Sequence, residues 1–274
     1  MSGFLDEMAR SSAVRVLAAV ERESFADLER RARCAAPGPA LRLSPAGFDV
    51  IAELKLRSPA AGRLGDESKD WLGRVAAYAR GGAAAVSVLT EPSRFDGSLE
   101  HLRQAAAALL PLGVPAMRKD FLVDPYQVLE ARAAGAGGVL IILRMLARQR
   151  IAELLDVAAE HRLFVLLEAF DGADLELARQ LLATRVASQT VLIGINSRDL
   201  QTLQVVQQRF AALAPLLPGN SACVAESGVA TPSDACAMRQ LGYRLALIGT
   251  ALMSTDDPGA LLGDILNAAR TLSL

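Results

Sequence analysis

The sequence is poor in the residues that build disulfide frameworks and metal sites. Its 274 residues include three cysteines, Cys34, Cys223 and Cys236, and two histidines, His101 and His161. Because the cysteines lie far apart and are odd in number, neither a disulfide scaffold nor a cysteine-rich metal site is expected. The histidines adjoin predicted helices, and we interpret them as surface or capping residues. We therefore expect no metal and a reducing, cytoplasmic compartment.

The sequence also lacks an excess of charge of one sign and long apolar runs. The formal net charge is −1, which argues against a nucleic-acid surface or a polybasic membrane patch. The apolar run at 104–117 is short and broken by prolines, and the N-terminus is too polar for a secretory signal. Aromatic residues make up only 4% of a chain that is 52% hydrophobic, and this aliphatic composition favours helices packed on parallel strands.

The chain does have a repeated alternation of short aliphatic runs and amphipathic segments of helical period. Strands are predicted at 49–55, 83–90, 114–120, 137–143, 163–169, 190–196, 221–227 and 244–250. Several of the intervening segments begin with a capping residue or an early proline and end in glycine, as helices do. Eight such units predict an α/β fold, a (β/α)8 TIM barrel, and no G-x-G-x-x-G follows the first strand to suggest a dinucleotide fold.

We expect residues 1–274 to form a single barrel domain. Residues 1–44 would be an N-terminal helical extension and linker, with the helical part at 5–35 and a proline-containing link to the first strand. The sequence leaves open whether this extension covers the mouth of the barrel or packs on its side.

Two opposite charges lie in the first predicted strand. Glu53 and Lys55 are two residues apart, so they share a face of the strand with Ile51. A structural ion pair and a catalytic pair both fit this pattern.

Polar residues also follow other strands at their carboxyl ends. They are Lys119, Glu168, Asn196 with Arg198, Glu226 with Ser227, and Gly249 with Thr250. These ends converge on one face of a barrel, where active sites form. Taken singly, each residue also fits a solvated charge, a cap or an ordinary turn. Together they predict an active site, since buried charges must pair with one another or with a ligand.

The last two strands indicate a phosphate site. The segments "ESG" (226–228) and "IGT" (248–250) supply small residues, so that backbone N–H groups can approach an anion closely. Loops after the seventh and eighth strands commonly bind phosphate in these barrels. Opposite two lysines, they predict a phosphorylated small-molecule substrate.

Long motifs in the chain together resemble the indole-3-glycerol phosphate synthase family. They are "IAELKLRSPAAG", "VSVLTEPSRFDGSLEHL", "MRKDFLVDPYQVLEARAAGA", "LLEAFD", "IGINSRDLQT", "AESGVATPSD" and "LIGTALM". The resemblance covers residues 45–258, and the N-terminal extension is similar too. It implies a cofactor-free carbon–carbon lyase of tryptophan biosynthesis. The reaction would close the ring of 1-(2-carboxyphenylamino)-1-deoxyribulose 5-phosphate, with loss of carbon dioxide and water, to give indole-3-glycerol phosphate.

The resemblance also implies catalytic roles. Lys119 resembles the acid for attack on the carbonyl, and Lys55 and Glu168 resemble the acid and base of later steps, although the order of the two lysines stays open. Glu53 would hold Lys55 in place. The remaining two residues of this set, Asn196 and Glu226, would orient the substrate.

Binding roles follow from the same resemblance. The implied phosphate cradle consists of Ser58, Ser227, Gly228, Gly249 and Thr250. Phe95 and Phe121 resemble an aromatic wall for the anthranilate ring, and Arg198 resembles a partner for the substrate carboxylate.

The chain departs from the family pattern at several positions. The first loop reads "SPAAG" where the family usually has "SPSKG", Ser197 and Asp199 replace asparagines, and Thr250 replaces a serine. Phe170 replaces a histidine and Arg144 a lysine. These changes remove no inferred proton-transfer group, but they leave open a paralogue that acts on a modified anthranilate in a secondary pathway.

Two further functions are weighed. A phosphoribosylanthranilate isomerase shares the phosphate cradle but resembles a Cys/Asp acid–base pair, which this chain does not offer at the site. A non-catalytic phosphate-binding barrel would not need two separate acids. The expected assembly is a monomer or homodimer, and association with other tryptophan-pathway enzymes is left open.

Overall fold

Eight parallel strands close into a barrel in the computed structural model, which describes residues 3–59, 62–64, 70–183, 185, 189–199 and 202–272. The strands are β1 (Asp49–Leu54), β2 (Ala85–Leu89), β3 (Ala116–Lys119), β4 (Gly138–Ile142), β5 (Phe164–Ala169), β6 (Val191–Asn196), β7 (Cys223–Glu226) and β8 (Leu245–Ile248). Each lies within its predicted run, and β1 pairs with both β2 and β8. The predicted (β/α)8 barrel is confirmed.

Helices alternate with the strands along the chain. They are α1 (Phe4–Arg22), α2 (Phe25–Cys34), α3 (Trp71–Arg80), α4 (Pro92–Phe95), α5 (Leu99–Leu109), α6 (Pro125–Ala133), α7 (Arg148–Glu160), α8 (Gly172–Leu182), α9 (Gln208–Leu213), α10 (Pro232–Gln240), α11 (Thr250–Ser254) and α12 (Pro258–Thr271). Asp124, Thr231 and Asp257 each cap a helix whose first residue is proline, as the sequence predicts. Within the described ranges, no helix has the length and apolar character to cross a membrane.

Along the odd-numbered strands β1, β3, β5 and β7, the side chains inside the barrel change from aliphatic to charged. The aliphatic layer contains Ile51, Met117, Leu166 and Val224. Two residues further along the same strands, and therefore on the same face, come Glu53, Lys119, Glu168 and Glu226. We call these four residues the charged layer. Alternation of side chains along a strand thus carries the charges to the carboxyl-terminal mouth of the barrel.

The segment that follows β6 differs from the prediction. Helical period predicts a helix from 203 to 214, but α9 begins only at Gln208. Arg198 forms an isolated antiparallel bridge with Val205, and Leu203 has a left-handed φ of 61°. The apolar residues before α9 therefore belong to a turn at the barrel mouth, where they face the cavity instead of a helix groove.

The interpretation of the two histidines was half right. His161 is the C-terminal cap of α7, as expected. His101 is buried within the first turn of α5, where its ring meets Trp71 edge to face at a centroid distance of 5.4 Å. The spacing of apolar residues along α5 does not by itself show that His101 points inward.

A buried ion-pair network attaches α1 to the barrel. The Arg15 guanidinium donates to both oxygens of Asp120 at 2.8 and 2.9 Å. Arg118 and Thr90 donate to the same carboxylate at 3.1 and 2.7 Å. Burial opposes ionisation of Asp120, but the hydrogen bond from Arg15 and the charges of Arg118 and Arg15 outweigh it and lower the pKa of Asp120 to about 2.

Replacing Asp120 with alanine should lower the free energy of unfolding by about 3–5 kcal/mol, because Arg15 and Thr90 lose their acceptor and the buried Arg118 keeps only Glu130 as a carboxylate partner. Arg15→Ala should cost less, since Arg118 and Thr90 still hold Asp120. Urea unfolding followed by circular dichroism measures both values. As a control, Arg179→Ala removes an exposed pair with Glu176 and should change the free energy of unfolding far less than the Asp120 variant does. Equal losses for the Asp120 and Arg179 variants would contradict the anchoring role.

Candidate active site

A cavity of about 480 Å³ opens at the carboxyl-terminal mouth of the barrel. Every site residue proposed from the sequence lines it: Glu53, Lys55, Ser58, Phe95, Lys119, Phe121, Glu168, Asn196, Arg198, Glu226, Ser227, Gly228, Gly249 and Thr250. The structure therefore brings these residues together, while their catalytic and binding roles stay predictions.

One ammonium group lies among three carboxylates in the charged layer. Lys119 Nζ is 3.6 Å from Glu168 Oε2, and it is 3.9 Å from both Glu53 Oε2 and Glu226 Oε2. Lys55 Nζ donates to Glu53 Oε1 at 2.8 Å. Both lysine side chains are largely buried, as are the three carboxylates. Glu53 thus links the two ammonium groups.

The surroundings hold Lys119 in its charged form. Burial alone would lower its pKa, but the charges of Glu168, Glu53 and Glu226 outweigh burial and raise it above the ordinary lysine value. Burial likewise opposes ionisation of Glu53, and here the charges of Lys55 and Lys119 prevail, so that the pKa of Glu53 lies below its usual range. Lys119 and Glu53 are therefore a charged pair at neutral pH.

The pKa of Glu226 shifts in the opposite direction from that of Glu53. Burial raises its pKa well above the usual glutamate value, and repulsion from Glu168 adds to the effect against the opposing charge of Lys119. Neither of its carboxylate oxygens has a hydrogen-bond partner in the described part of the chain.

Two glycines make room for these carboxylates. A Cβ at Gly194 would overlap Glu226 Oε1, and a Cβ at Gly249 would overlap Glu53 Oε1. The same Cβ at residue 249 would stand 3.2 Å from Lys55 Nζ. The glycine predicted to bind phosphate therefore also admits Glu53 and places the Lys55 ammonium beside the loop.

The predicted phosphate loops have a backbone that suits an anion. Ser227 and Gly228 have left-handed φ values of 66° and 88°. Ser197 Oγ donates to the Ser227 carbonyl at 2.8 Å, and Gln207 Nε2 donates to the Gly228 carbonyl at 2.7 Å, which fixes this loop. After β8, the short helix α11 begins at once beyond Gly249, so its first N–H groups have no partner within the helix.

Aromatic side chains form one wall of the cavity. The Phe121 ring lies 6.2 Å from Phe95, and Phe4 of α1 meets Phe121 edge to face at 5.7 Å. Phe4 and Leu5 both line the cavity and were missed by the sequence analysis. The start of α1 thus reaches the mouth, while Tyr126 Oη donates to carbonyls at its far end on the side of the barrel. The extension therefore both reaches the mouth of the barrel and packs on its side.

Asn196 and Arg198 line the cavity with part of their polar groups already used. The Asn196 side-chain oxygen accepts the Arg198 backbone N–H at 2.9 Å, which is the capping role considered from the sequence. Arg198 Nη1 donates to the Leu203 carbonyl at 2.6 Å. The guanidinium is thereby held against its own turn at the cavity wall.

The unusual residues Arg144 and Phe170 contact each other. The Arg144 guanidinium lies over the Phe170 ring at 4.6 Å and donates to Asp174 at 2.9 Å. These two departures thus form one packed unit beside β5. The replaced positions 60 and 61 of the first loop lie outside the described residues.

A carboxylate–histidine group elsewhere has the spacing of metal ligands. Glu29, Glu160 and His161 bring candidate ligand atoms within 4.8 Å of one another, between α2 and α7. Arg33 already pairs with both carboxylates, so this group is an ion-pair cluster.

The barrel and its charged mouth define a TIM-barrel enzyme. The family described as Indole-3-glycerol phosphate synthase matches residues 5–264, and the chain belongs to this family.

Named relatives cover most of the chain. An indole-3-glycerol phosphate synthase from Leifsonia xyli subsp. xyli is 41% identical over 96% of this chain and 95% of its own length. Another from Nocardioides sp. is 44% identical over 78% of each chain. Among solved structures, 3-hexulose-6-phosphate synthase from Salmonella typhimurium aligns with a TM-score of 0.61 over 81% of this chain and 98% of its own. At 13% identity, that likeness shows the fold alone.

Glu226→Gln should stabilise the fold at pH 7.5. Because the pKa of Glu226 is raised, the folded state keeps a proton that the unfolded chain releases above a pH of about 4.3. The free energy of unfolding therefore falls as the pH rises from this value to the raised pKa of the folded state. Glutamine removes this cost, and the gain in unfolding free energy should shrink towards pH 5.

Denaturant unfolding at the two pH values measures the difference. Glu21→Gln, at an exposed position, should change stability by the same small amount at both. A loss of stability in Glu226→Gln at pH 7.5 would show that the carboxylate is ionised in the fold.

Proposed function

We propose that the chain converts 1-(2-carboxyphenylamino)-1-deoxyribulose 5-phosphate to indole-3-glycerol phosphate, as a carbon–carbon lyase. The observation that carries the proposal is the Lys119 ammonium, held charged among three carboxylates in the cavity that the predicted phosphate loops also line. A charged acid in a closed site suits the first demand of the reaction, which is protonation of a carbonyl oxygen as a carbon attacks it.

Positioning follows from the two ends of the cavity. The substrate phosphate would lie on the backbone N–H groups near Ser227, Gly228 and Gly249, with Lys55 adjacent. The anthranilate ring would lie against Phe95 and Phe121. The ribulose carbonyl would then fall between these ends, above the charged layer.

Ring closure begins when the ring carbon that bears the carboxyl group attacks the ribulose carbonyl carbon. Lys119 donates a proton to the oxygen, and the ring nitrogen becomes an iminium. The carboxylate then leaves as carbon dioxide, and its bonding electron pair neutralises the iminium. This electron sink lies in the substrate, so the residues present need no cofactor for the step.

Dehydration completes the indole. The hydroxyl formed from the carbonyl leaves as water with a proton from a lysine, and a carboxylate removes the proton that restores aromaticity. Lys55 and Glu168 suit these roles, because the ion pair with Glu53 holds Lys55 at the rim and Glu168 lies 3.6 Å from Lys119. The order of the two lysines is part of the proposal.

A modified ring is the second substrate that the site suggests. The packed Arg144 and Phe170 side chains stand beside β5 where the family pattern has lysine and histidine. A cytoplasmic location, and association with other enzymes of the pathway, stay predictions.

Lys119→Met should lower kcat by roughly 10³-fold or more, because the attack loses both its proton donor and its charge stabilisation. Indole fluorescence and mass spectrometry of the product from synthetic substrate measure the rate. Arg103→Met, which removes an exposed cation from α5, should retain wild-type turnover.

Substrate binding by wild type and Lys119→Met, measured by calorimetry, separates the candidate functions. Binding without turnover by wild-type protein would favour a non-catalytic barrel. Product formation from ring-substituted substrate alone would favour the paralogue.

Gly249→Ala should lower kcat/KM by roughly 10- to 100-fold, since the added methyl group displaces Glu53 and Lys55 from their present positions. Gly263→Ala is the matched control. Gly263 lies in α12, and an added Cβ there would have open space around it. The control should keep full activity and gain up to about 1 kcal/mol of stability. Unchanged kcat/KM in Gly249→Ala would contradict the assigned place of Glu53.

A further inference from the structure

The outer face of α1 exposes apolar side chains. In the described part of the chain, three of the eight exposed large hydrophobic residues, Val14, Leu17 and Val20, lie in α1. Val14 and Leu17 are 65% and 68% exposed. The opposite face of α1 already packs on the barrel through Met8, Ser12 and Ala19. The helix therefore has a second apolar face that no described residue of this chain covers.

The exposed residues of this face recur at helical spacing. Arg10, Ala13, Val14, Leu17, Ala18 and Glu21, which we call the α1 stripe, are all exposed. Spacings of three and four residues place them along one side of the helix. Two bulky aliphatic side chains lie at the centre with an alanine beside each, one cation lies at one end, and one anion lies at the other.

The stripe is complementary to itself when two copies run antiparallel. With Val14 of one copy opposite Leu17 of the other, Arg10 faces Glu21 at both ends, because the numbers of each facing pair add to the same total. A two-fold axis that passes between positions 15 and 16 generates each of these contacts twice in the dimer. In a parallel pair, Arg10 would face Arg10 and Glu21 would face Glu21.

We propose that α1 pairs with α1 of a second copy of this chain in an antiparallel, two-fold symmetric dimer. The alternation of three and four residues matches knobs-into-holes packing, and the alanines allow the helices to approach closely. Contact along about three turns of one helix lies at the low end of specific interface areas, roughly 1,000 Å² in total. The dimer should therefore be weak and concentration-dependent.

The pairing would bear on the active site through the same helix. Phe4 and Leu5, one to two turns before the α1 stripe, line the cavity. Arg15 holds the middle of the helix to Asp120. A partner helix would stabilise α1 against the barrel and so steady the cavity wall.

Sedimentation velocity on the full chain from roughly 5 to 500 μM tests the proposal. We expect a shift from monomer to dimer across this range, and Leu17→Glu should raise the dissociation constant at least about tenfold. Leu216→Glu, which changes a leucine of similar exposure (56%) far along the chain, should dimerise like wild type. Monomer at every concentration, or equal effects of the two substitutions, would overturn the proposal.

Charge exchange tests the antiparallel arrangement. Arg10→Glu and Glu21→Arg each place like charges at both ends of the pair, so each variant alone should dimerise more weakly than wild type. An equimolar mixture restores both opposite-charge contacts and should form heterodimers. Circular dichroism confirms that each variant keeps its helices. A mixture that associates no better than either variant alone would rule out this register.

Discussion

The site depends on one buried cation among three carboxylates. The charges of Glu168, Glu53 and Glu226 outweigh the burial of Lys119 and raise its pKa, while burial and repulsion from Glu168 raise the pKa of Glu226. This arrangement requires four ionisable side chains at one level of the barrel. The parallel strands provide that level, since each charged residue follows an aliphatic interior residue by two positions.

The same constraint explains the small residues around the charged layer. Gly194 leaves space for the Glu226 carboxylate, and Gly249 leaves space for Glu53. Gly249 also precedes α11 at the predicted phosphate rim, so a single position borders both the ion pair and the loop that we propose binds the phosphate. The proposed phosphate rim and the Glu53–Lys55 pair are therefore parts of one packed arrangement.

The strands and the convergence of site residues could be predicted because both follow from local pattern. Period-two alternation and strand ends meeting on one face place Lys119 beside Glu168, although 49 positions separate them. Contacts without a local signal were missed. The pairing of Arg15 with Asp120 joins residues 105 positions apart, and Phe4 meets Phe121 across 117 positions, so neither contact has a signal in the local pattern. The spacing of apolar residues at 203–207 predicts a helix, but these residues form a turn before α9. Apolar residues that face a cavity can have the same spacing as those that face a helix groove.

A structure of the protein with indole-3-glycerol phosphate bound would test the central claim most directly. The account predicts the phosphate on the backbone N–H groups at Ser227, Gly228 and Gly249, the indole ring against Phe121, and Lys119 Nζ beside the indole carbon that bore the hydroxyl lost in dehydration. A ligand whose phosphate lies elsewhere, or whose indole ring is remote from Lys119, would contradict it.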